Sequence, residues 1–316
     1  PENSEQTAHD MKKKRTPVAN GSSLALLVLL AAALCGSGRV VHAWGPLSHF
    51  DMGCGALFNL SAPECISSRL SSAQAMDLPD AFFFGAGFTT GGQCKPELAQ
   101  LHNPTFAGYM VQAAGSNQTL LDFALGFGSH VMSDLAGFET LYLSPLGAVH
   151  WLPVWQLMEA QDVVVAKGWS SSSPFSSTIA QLVEQASAPI SQPLAEFVAR
   201  VSKLAAPALP SLPVVSASDV LACSKAWSAG LRRITANALR TESSCAEWDL
   251  LFYDSGAQGS VDLATARLRY YQGCGRTAIQ QWRSLLLDQR VSPAQAASTT
   301  ARSIVATCRH PPRSGE

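Results

Sequence analysis

The chain has 316 residues, and its 22 basic and 23 acidic side chains give a formal net charge of -1. Such a balanced chain lacks the basic field that attracts nucleic acid by charge alone. The length is sufficient for one large domain, or for one domain and a half of average size.

The amino-terminal part of the chain has the pattern of a secretory leader. We expect translation to start at Met11, with residues 1–10 as upstream sequence. A basic stretch, KKKR, follows at 12–15, and an apolar run, LALLVLLAAALC, follows at 24–35. This run is too short for a membrane span, which needs about 20 residues.

Small residues then lead to a peptidase site after Ala43. The pattern therefore predicts a cleaved signal peptide over 11–43, a secreted protein and a mature chain that starts at Trp44. An uncleaved signal anchor is the alternative. The mature chain would carry a formal charge of about -3.

Cysteine usage fits an oxidising compartment. Seven of the eight cysteines follow the predicted leader, namely Cys54, Cys65, Cys94, Cys223, Cys245, Cys274 and Cys308. They predict up to three disulfides with one thiol left over, and their spacing does not give the pairing. The sequences NLS at Asn59 and NQT at Asn117 are glycosylation acceptors, which is consistent with secretion.

The mature chain is predicted to be all-α. Alternating β-branched runs are scarce, and Ala, Leu, Gln and Ser recur at helical spacing. In chain order, the predicted helices are 46–58, 103–114, 119–136, 150–167, 178–203, 218–240, 260–290 and 293–307. Low-complexity connectors are predicted at 167–177 and 206–218.

The third predicted helix contains a candidate chemical motif, GSHVMSD. His130 and Asp134 are four residues apart, so on a helix they point the same way, beside an apolar stripe that includes Phe127. A carboxylate on the buried side of a helix must be paired or bound to a metal. Both residues are therefore candidate metal ligands, and a simple hydrogen bond between them is the alternative.

Three further residues have the right chemistry and lie beside apolar segments. Asp80 stands at a loop or helix start marked by Pro79, within the apolar stretch LPDAFFFGAGF. His102 directly precedes the second predicted helix, and His49 lies one turn into the first. Only five histidines follow the predicted leader, and three of them have such positions.

Taken together, these residues resemble the superfamily of zinc-dependent phospholipases C and the related zinc-dependent single-strand nucleases. They also resemble the amino-terminal domain of glycosylphosphatidylinositol-specific phospholipase D. The order that carries the resemblance is Trp44, His49, Asp80, His102, His130 and Asp134. The resemblance covers residues 44–165, where it implies a multi-helix bundle with the catalytic region. The role of the helical region at 166–316 is left open, and completion of the same bundle is one interpretation of it.

The resemblance also implies two neighbouring zinc ions. In that superfamily the mature protein starts with a Trp whose free amino group and carbonyl oxygen bind zinc, so cleavage before Trp44 would create a ligand. One ion would be held by Asp80, His102, His130 and Asp134. The other would be held by Trp44, His49 and the second oxygen of Asp134. Nitrogen and carboxylate ligands suit zinc, and a metal readily deprotonates an α-amino group.

The sequence departs from the family at its third zinc. The family has a His a few residues after the aspartate, where this chain has Phe138 or Thr140. It then has an H-x-x-x-E or H-x-x-x-D pair that this chain does not reproduce. The residues that would rebuild such a site are Glu139, His150, Glu159 and Asp162. The alternative is a helix with aromatic residues in the core and with Glu159 and Asp162 solvated.

The resemblance implies a secreted hydrolase of phosphoric diesters that acts on phospholipids at a membrane surface, of the phospholipase C or D type. Two zinc ions would activate a water, and Asp80 would be the catalytic carboxylate that orients or deprotonates it. The stretch AFFFGAGF would give the cleft an apolar rim for acyl chains, and the alternative is that its three consecutive Phe residues belong to the core. Neither a nucleic acid nor a stable protein partner is expected.

Two other functions stay open. One is a zinc-dependent nuclease for single-stranded nucleic acid. The other is a catalytically degenerate family member with a structural or binding role, which the incomplete third zinc site favours.

Overall fold

A computed structural model describes residues 44–62, 64–65, 78–88, 94–137, 162, 165, 190–225 and 261–308. Within these residues the regular elements are helices and there is no strand, which confirms the predicted all-α fold. None of the described helices is long and apolar enough to cross a membrane. The predicted signal peptide and the predicted connector at 167–177 lie outside the described residues.

The helices begin and end as follows. In chain order they are α1 (Pro46–Phe58), α2 (Leu78–Phe88), the short α3 (Pro96–Ala99), α4 (Pro104–Ala114), α5 (Gln118–Gly137), α6 (Gln192–Ala205), α7 (described over 217–225, the last described residues before 261), α8 (Val261–Leu287) and α9 (Pro293–Thr307). Helices α1, α4, α5, α8 and α9 agree closely with their predicted bounds. Of the helix predicted at 150–167, only residues 162 and 165 are described, and both are helical.

Proline opens several of these helices. Pro46, Pro104 and Pro293 stand at the first positions of α1, α4 and α9. A missing N–H costs nothing there, and the fixed φ of proline suits a helix start. Asn103 also caps α4, because its side chain accepts hydrogen bonds from the first-turn amides. Gly45 offers α1 no such side-chain cap.

Helix α5 packs against α1, α2, α4 and α8. A Cβ atom at Gly85 of α2 or at Gly126 of α5 would overlap the backbone of the other helix, so glycine allows these two helices to approach closely. On another face of α5, a Cβ at Gly128 would overlap the Trp282 ring of α8. These contacts fix the helix that carries His130 and Asp134.

Buried side chains from both halves of the chain form one hydrophobic core. They include Phe106, Phe127, Phe197, Tyr271 and Trp282. The first two belong to α4 and α5, and the others belong to α6 and α8. The described helices lie in one compact unit, Gly38–Glu316, and those after residue 166 share the core of those before it.

The aromatic stretch of α2 has a different role from the one expected. Phe82 and Phe83 are buried in a cluster with Phe50 and Val165. Because α2 packs against both α1 and α5, these two side chains are covered on all sides. The expectation that they form an apolar rim for acyl chains is therefore wrong.

Three disulfides join residues of the described chain at sequence separations of 11, 129 and 34. They are Cys54–Cys65, Cys94–Cys223 and Cys274–Cys308. The prediction of up to three disulfides is thereby confirmed, and the seventh cysteine, Cys245, lies outside the described residues. Such a set of bonds indicates an oxidising environment of the kind found along the secretory route.

Candidate metal centre

Three histidines surround the carboxylate of Asp134. Its Oδ1 atom lies 3.3 Å from Nε2 of His49 on α1. Its Oδ2 atom lies 2.9 Å from Nε2 of His102, just before α4, and 3.1 Å from Nε2 of His130 on α5. The side chains of His49, His130 and Asp134 are each 1 % exposed, whereas His102 is 12 % exposed. The cluster is thus buried, and His102 marks its most accessible side.

Part of this cluster has the spacing of a metal site. One ligand atom from each of His49, His130 and Asp134 lies within 4.8 Å of the others. Two imidazoles and one carboxylate are a ligand set found in catalytic metal sites that leave a position open for water or substrate. The described residues therefore contain one candidate metal-binding triad.

The orientation of His130 fits a metal ligand. Its Nδ1 atom lies 2.6 Å from the carbonyl oxygen of Ala86, which can only accept, so Nδ1 carries the proton. Burial and the neighbouring His49 ring lower the pKa of His130 well below its usual range, so the ring is neutral. Its Nε2 lone pair therefore points towards Asp134, as in sites where a carbonyl orients a ligating histidine.

His49 is oriented in the same way by Ser133. The Ser133 hydroxyl donates its single proton to the carbonyl of His130 at 2.9 Å and lies 2.7 Å from Nδ1 of His49. It can then only accept from His49, so Nδ1 carries a proton, and in a neutral ring Nε2 would be the unprotonated nitrogen. This buried Nε2 has no hydrogen-bond partner. A lone pair so close to a carboxylate is repelled unless a cation lies between them, so the residues fit a metal ion.

Asp134 carries the negative charge of the cluster. Burial raises the pKa of this carboxyl, but the surrounding imidazoles of His49 and His130 and the hydrogen bond with His102 lower it by more. The net pKa lies well below its usual range, so Asp134 is ionised. A buried carboxylate needs compensation from its surroundings, because leaving it uncompensated is strongly destabilising, and a bound metal ion would supply that compensation.

Trp44 also contacts this cluster. Its backbone N–H donates to Oδ1 of Asp134 at 3.2 Å, and its indole N–H donates to the carbonyl of Ser133 at 2.8 Å. The side chain is fully buried. In a chain cleaved before residue 44, the nitrogen beside Asp134 would be a free α-amino group.

The six predicted ligands have different outcomes. Five of them lie together, because Trp44, His49, His102 and His130 all contact the carboxylate of Asp134. The sixth, Asp80, lies in the first turn of α2, but its side chain lies outside the described part of the chain. Its roles as a metal ligand and as the catalytic carboxylate stay predictions.

The candidates for the third metal are less well described. Glu139, His150 and Glu159 lie outside the described residues. Asp162 is fully buried, so the alternative in which it is solvated is wrong. Its Oδ2 accepts from the amide of Leu47 at 3.1 Å, and its Oδ1 accepts from the amide and the hydroxyl of Ser48, each at 3.0 Å. This carboxylate is thus used at the start of α1.

Sequence reasoning did not identify the groups that orient the histidines. Ser133 is adjacent to Asp134, and a serine beside a buried candidate ligand is a usable signal for a supporting hydrogen bond. Ala86 contributes only its carbonyl oxygen, so no side-chain pattern could have indicated it.

The fold and the cluster define an all-α, disulfide-bonded protein with a buried histidine and aspartate site suited to a metal ion. No family model, no curated protein and no solved structure matches this chain. The geometry of the site and the order of its candidate ligands along the chain are therefore the features that bear on function.

Proposed function

We propose that this protein is a secreted, zinc-dependent phosphodiesterase of the zinc-dependent phospholipase C family, acting on phospholipids. The observation that carries the proposal is the convergence on Asp134 of three histidines and the backbone nitrogen of Trp44. These residues are separated widely in the sequence but follow the order of the family's ligands. Three disulfides support a secreted location.

The two oxygens of Asp134 support a site for two ions. Oδ1 faces the nitrogen of Trp44 and Nε2 of His49, whereas Oδ2 faces His102 and His130. A carboxylate with a separate set of nitrogen atoms at each oxygen is suited to bridge two cations. Zinc is the proposed metal because it takes nitrogen and carboxylate ligands together.

The protein residues would then have distinct roles in hydrolysis. Zinc, when bound, supplies the Lewis acid that activates a water and neutralises charge on the phosphoryl oxygens. Asp134 provides the shared negative charge, while Ala86 and Ser133 hold the two buried imidazoles in the orientation needed for binding. Asp80 is proposed to accept a proton from the attacking water. The attack forms a bond from the water oxygen to phosphorus and breaks the bond from phosphorus to the lipid oxygen, and the proton taken from the water is passed on to that oxygen to give the lipid alcohol.

Accessibility and charge support the choice of substrate. The partly exposed His102 leaves the cluster open on one side, where a phosphodiester could approach. The mature chain carries a formal charge of about -3, which disfavours the polyanionic backbone of nucleic acids. The proposal therefore favours a phospholipid over single-stranded DNA or RNA.

The experiment uses secreted mature protein, with its amino terminus sequenced. Its zinc content is measured beside hydrolysis of phosphatidylcholine vesicles, phosphatidylinositol vesicles and single-stranded DNA. We expect a start at Trp44, about two zinc ions per chain and lipid hydrolysis that Asp134→Asn abolishes. Hydrolysis of DNA alone would identify a nuclease instead. Bound zinc with no turnover on any substrate would identify a degenerate member of the family.

A further inference from the structure

The start of α1 receives its cap from a residue far away in the chain. Asp162 is fully buried, and its two carboxylate oxygens accept three hydrogen bonds from Leu47 and Ser48. The sequence separations are 115 and 114 residues. The contact therefore links the beginning of the mature chain to a segment that follows the metal-binding helix.

Helix α1 cannot supply this cap itself. Its N-cap residue, Gly45, has no side chain, and its first turn contains no acidic residue. The first amides of a helix have no partner within the helix, and leaving them buried without an acceptor is destabilising. The Asp162 carboxylate satisfies the amides of Leu47 and Ser48 and places a negative charge at the positive end of the helix dipole.

Gly45 is required by space. Its φ of -75° and ψ of 164° are open to any residue, so backbone conformation does not demand glycine. A Cβ atom there would instead overlap the Asp162 carboxylate. The absence of a side chain at residue 45 is what allows the carboxylate to reach the helix start.

The capped segment lies between two candidate metal ligands. Trp44 directly precedes Gly45 and contacts Asp134, and His49 directly follows Ser48 and contacts the same carboxylate. Asp162 therefore holds the middle of a short segment whose two ends reach the cluster. Metal sites tolerate ligand displacements of only about 0.2 Å, so a small shift of the helix start would affect both ends.

We propose that Asp162 is a positioning residue that fixes Trp44 and His49 for binding the metal on the Oδ1 side of Asp134. Asp162 acts through the backbone of α1 and is not itself a ligand. This role rests on the proposed two-ion site. The positioning role explains why the Asp162 carboxylate is buried, although this chain lacks the family's complete third zinc site.

The test compares zinc binding by the mature protein and its variants in equilibrium dialysis. In Asp162→Asn, one acceptor oxygen becomes an NH₂ donor that faces the N–H groups of α1. We expect one of the two ions to bind about 10–100-fold more weakly, the usual effect of losing a supporting partner of a metal ligand. The control is Asp122→Asn, which removes another buried carboxylate, one hydrogen-bonded by Gln118 within α5. It should leave zinc binding unchanged.

A second variant separates positioning from direct ligation. Gly45→Ala keeps the carboxylate but pushes the helix start away from it, so we expect the same weakened ion. Full zinc binding by Gly45→Ala together with a loss in Asp162→Asn would make Asp162 a ligand and overturn the positioning role. Full zinc binding by both variants would also overturn it. If Asp162→Asn does not fold, Gly45→Ala and the milder Ser48→Ala decide the question.

A metal-free readout distinguishes this proposal from the proposed function. Hydrogen exchange of the Leu47 and Ser48 amides is measured after chelation of the metal. Faster exchange in Asp162→Asn than in Asp122→Asn supports the part of the proposal in which Asp162 holds the start of α1. If the native protein binds zinc but hydrolyses no substrate, the proposed function is overturned while the positioning role stands; if it binds no zinc, both are overturned. Unchanged exchange in Asp162→Asn overturns the positioning role.

Discussion

The backbone nitrogen of Trp44 lies 3.2 Å from Oδ1 of Asp134, 90 residues further along the chain. This nitrogen belongs to the first residue after the predicted signal peptidase site. The same carboxylate oxygen lies 3.3 Å from His49. Cleavage before Trp44 would therefore produce a free amine within a cluster of candidate metal ligands.

The first prediction concerns this amine. Addition of one Ala before Trp44 converts the amine into an amide, a poor zinc ligand, and displaces the true terminus by about 3.5 Å. We expect less bound zinc and little phosphodiesterase activity, with helical circular dichroism unchanged because the core of α5 is untouched. His49→Ala should reproduce this loss. Equal zinc content and turnover in the extended and native proteins would remove Trp44 from the site.

The second prediction compares two carboxylates. Asp134→Asn should lower activity at least about 100-fold, because it replaces the carboxylate that contacts candidate metal ligands through both of its oxygens. Glu159→Gln should have a much smaller effect, since Glu159 belongs to the incomplete third site. Initial rates on phosphatidylcholine vesicles, at matched zinc concentration, check the difference. Equally severe losses would show that the third site is essential.

The third prediction concerns the pH dependence of stability in the metal-free protein. The folded-state pKa of His130 is depressed by burial and by His49, so the unfolded chain takes up a proton first as the pH falls below about 6.5. Stability should therefore decrease from pH 7 to pH 5, by up to about 1.4 kcal/mol per pH unit. Urea unfolding at each pH measures the slope.

The control for this slope is His130→Asn, which cannot titrate and should show a shallower decline. Asp134 contributes at lower pH, because its depressed pKa stabilises the fold above the unfolded value of about 3.9 and this stabilisation is lost as the pH falls further. An unchanged slope in His130→Asn would contradict the assignment of a buried neutral imidazole.

The fourth prediction tests the packing of α8 on α5. Gly128→Ala places a methyl group within the Trp282 ring and should destabilise the fold by about 1–3 kcal/mol. The matched control is Gly273→Ala on α8, where a Cβ meets open space. That change should stabilise the helix by about 0.5–1 kcal/mol. Thermal unfolding of both variants measures the two effects. Equal shifts of the two melting temperatures would contradict the packing of Trp282 against Gly128.

The fifth prediction compares two disulfides. Cys94–Cys223 closes a loop with a sequence separation of 129, whereas Cys54–Cys65 has a separation of 11. Loop-closure entropy predicts that replacing both cysteines by Ala costs about 5 kcal/mol for the first pair and about 3 kcal/mol for the second. Guanidinium unfolding of the two double variants checks this order. The reverse order would show that native strain dominates.

The sequence alone was sufficient for features that depend on neighbouring residues. Helical spacing predicted α1, α4, α5, α8 and α9, because the period of a helix and the preference for proline at its start are local properties. The same geometry placed His130 and Asp134 on one face of α5. The order of histidines and aspartates then indicated which other residues to consider as ligands.

Only the tertiary structure decided which helix faces meet. It brought Trp44, His49 and His102 to the Asp134 carboxylate, and it buried Phe82 and Phe83, which had been expected at the rim of the cleft. It also paired six cysteines, a choice that spacing leaves open among many alternatives.

Asp162 shows most clearly why such features escape sequence reasoning. Its local pattern is that of a polar residue on a helix, which left two interpretations open, a ligand of a third metal and a solvated side chain. Its actual partners are amides at the start of α1, 114 and 115 residues earlier in the chain. A hydrogen bond between distant segments depends on how the whole chain packs, because the energy of the contact is gained only after the helices around it are in place.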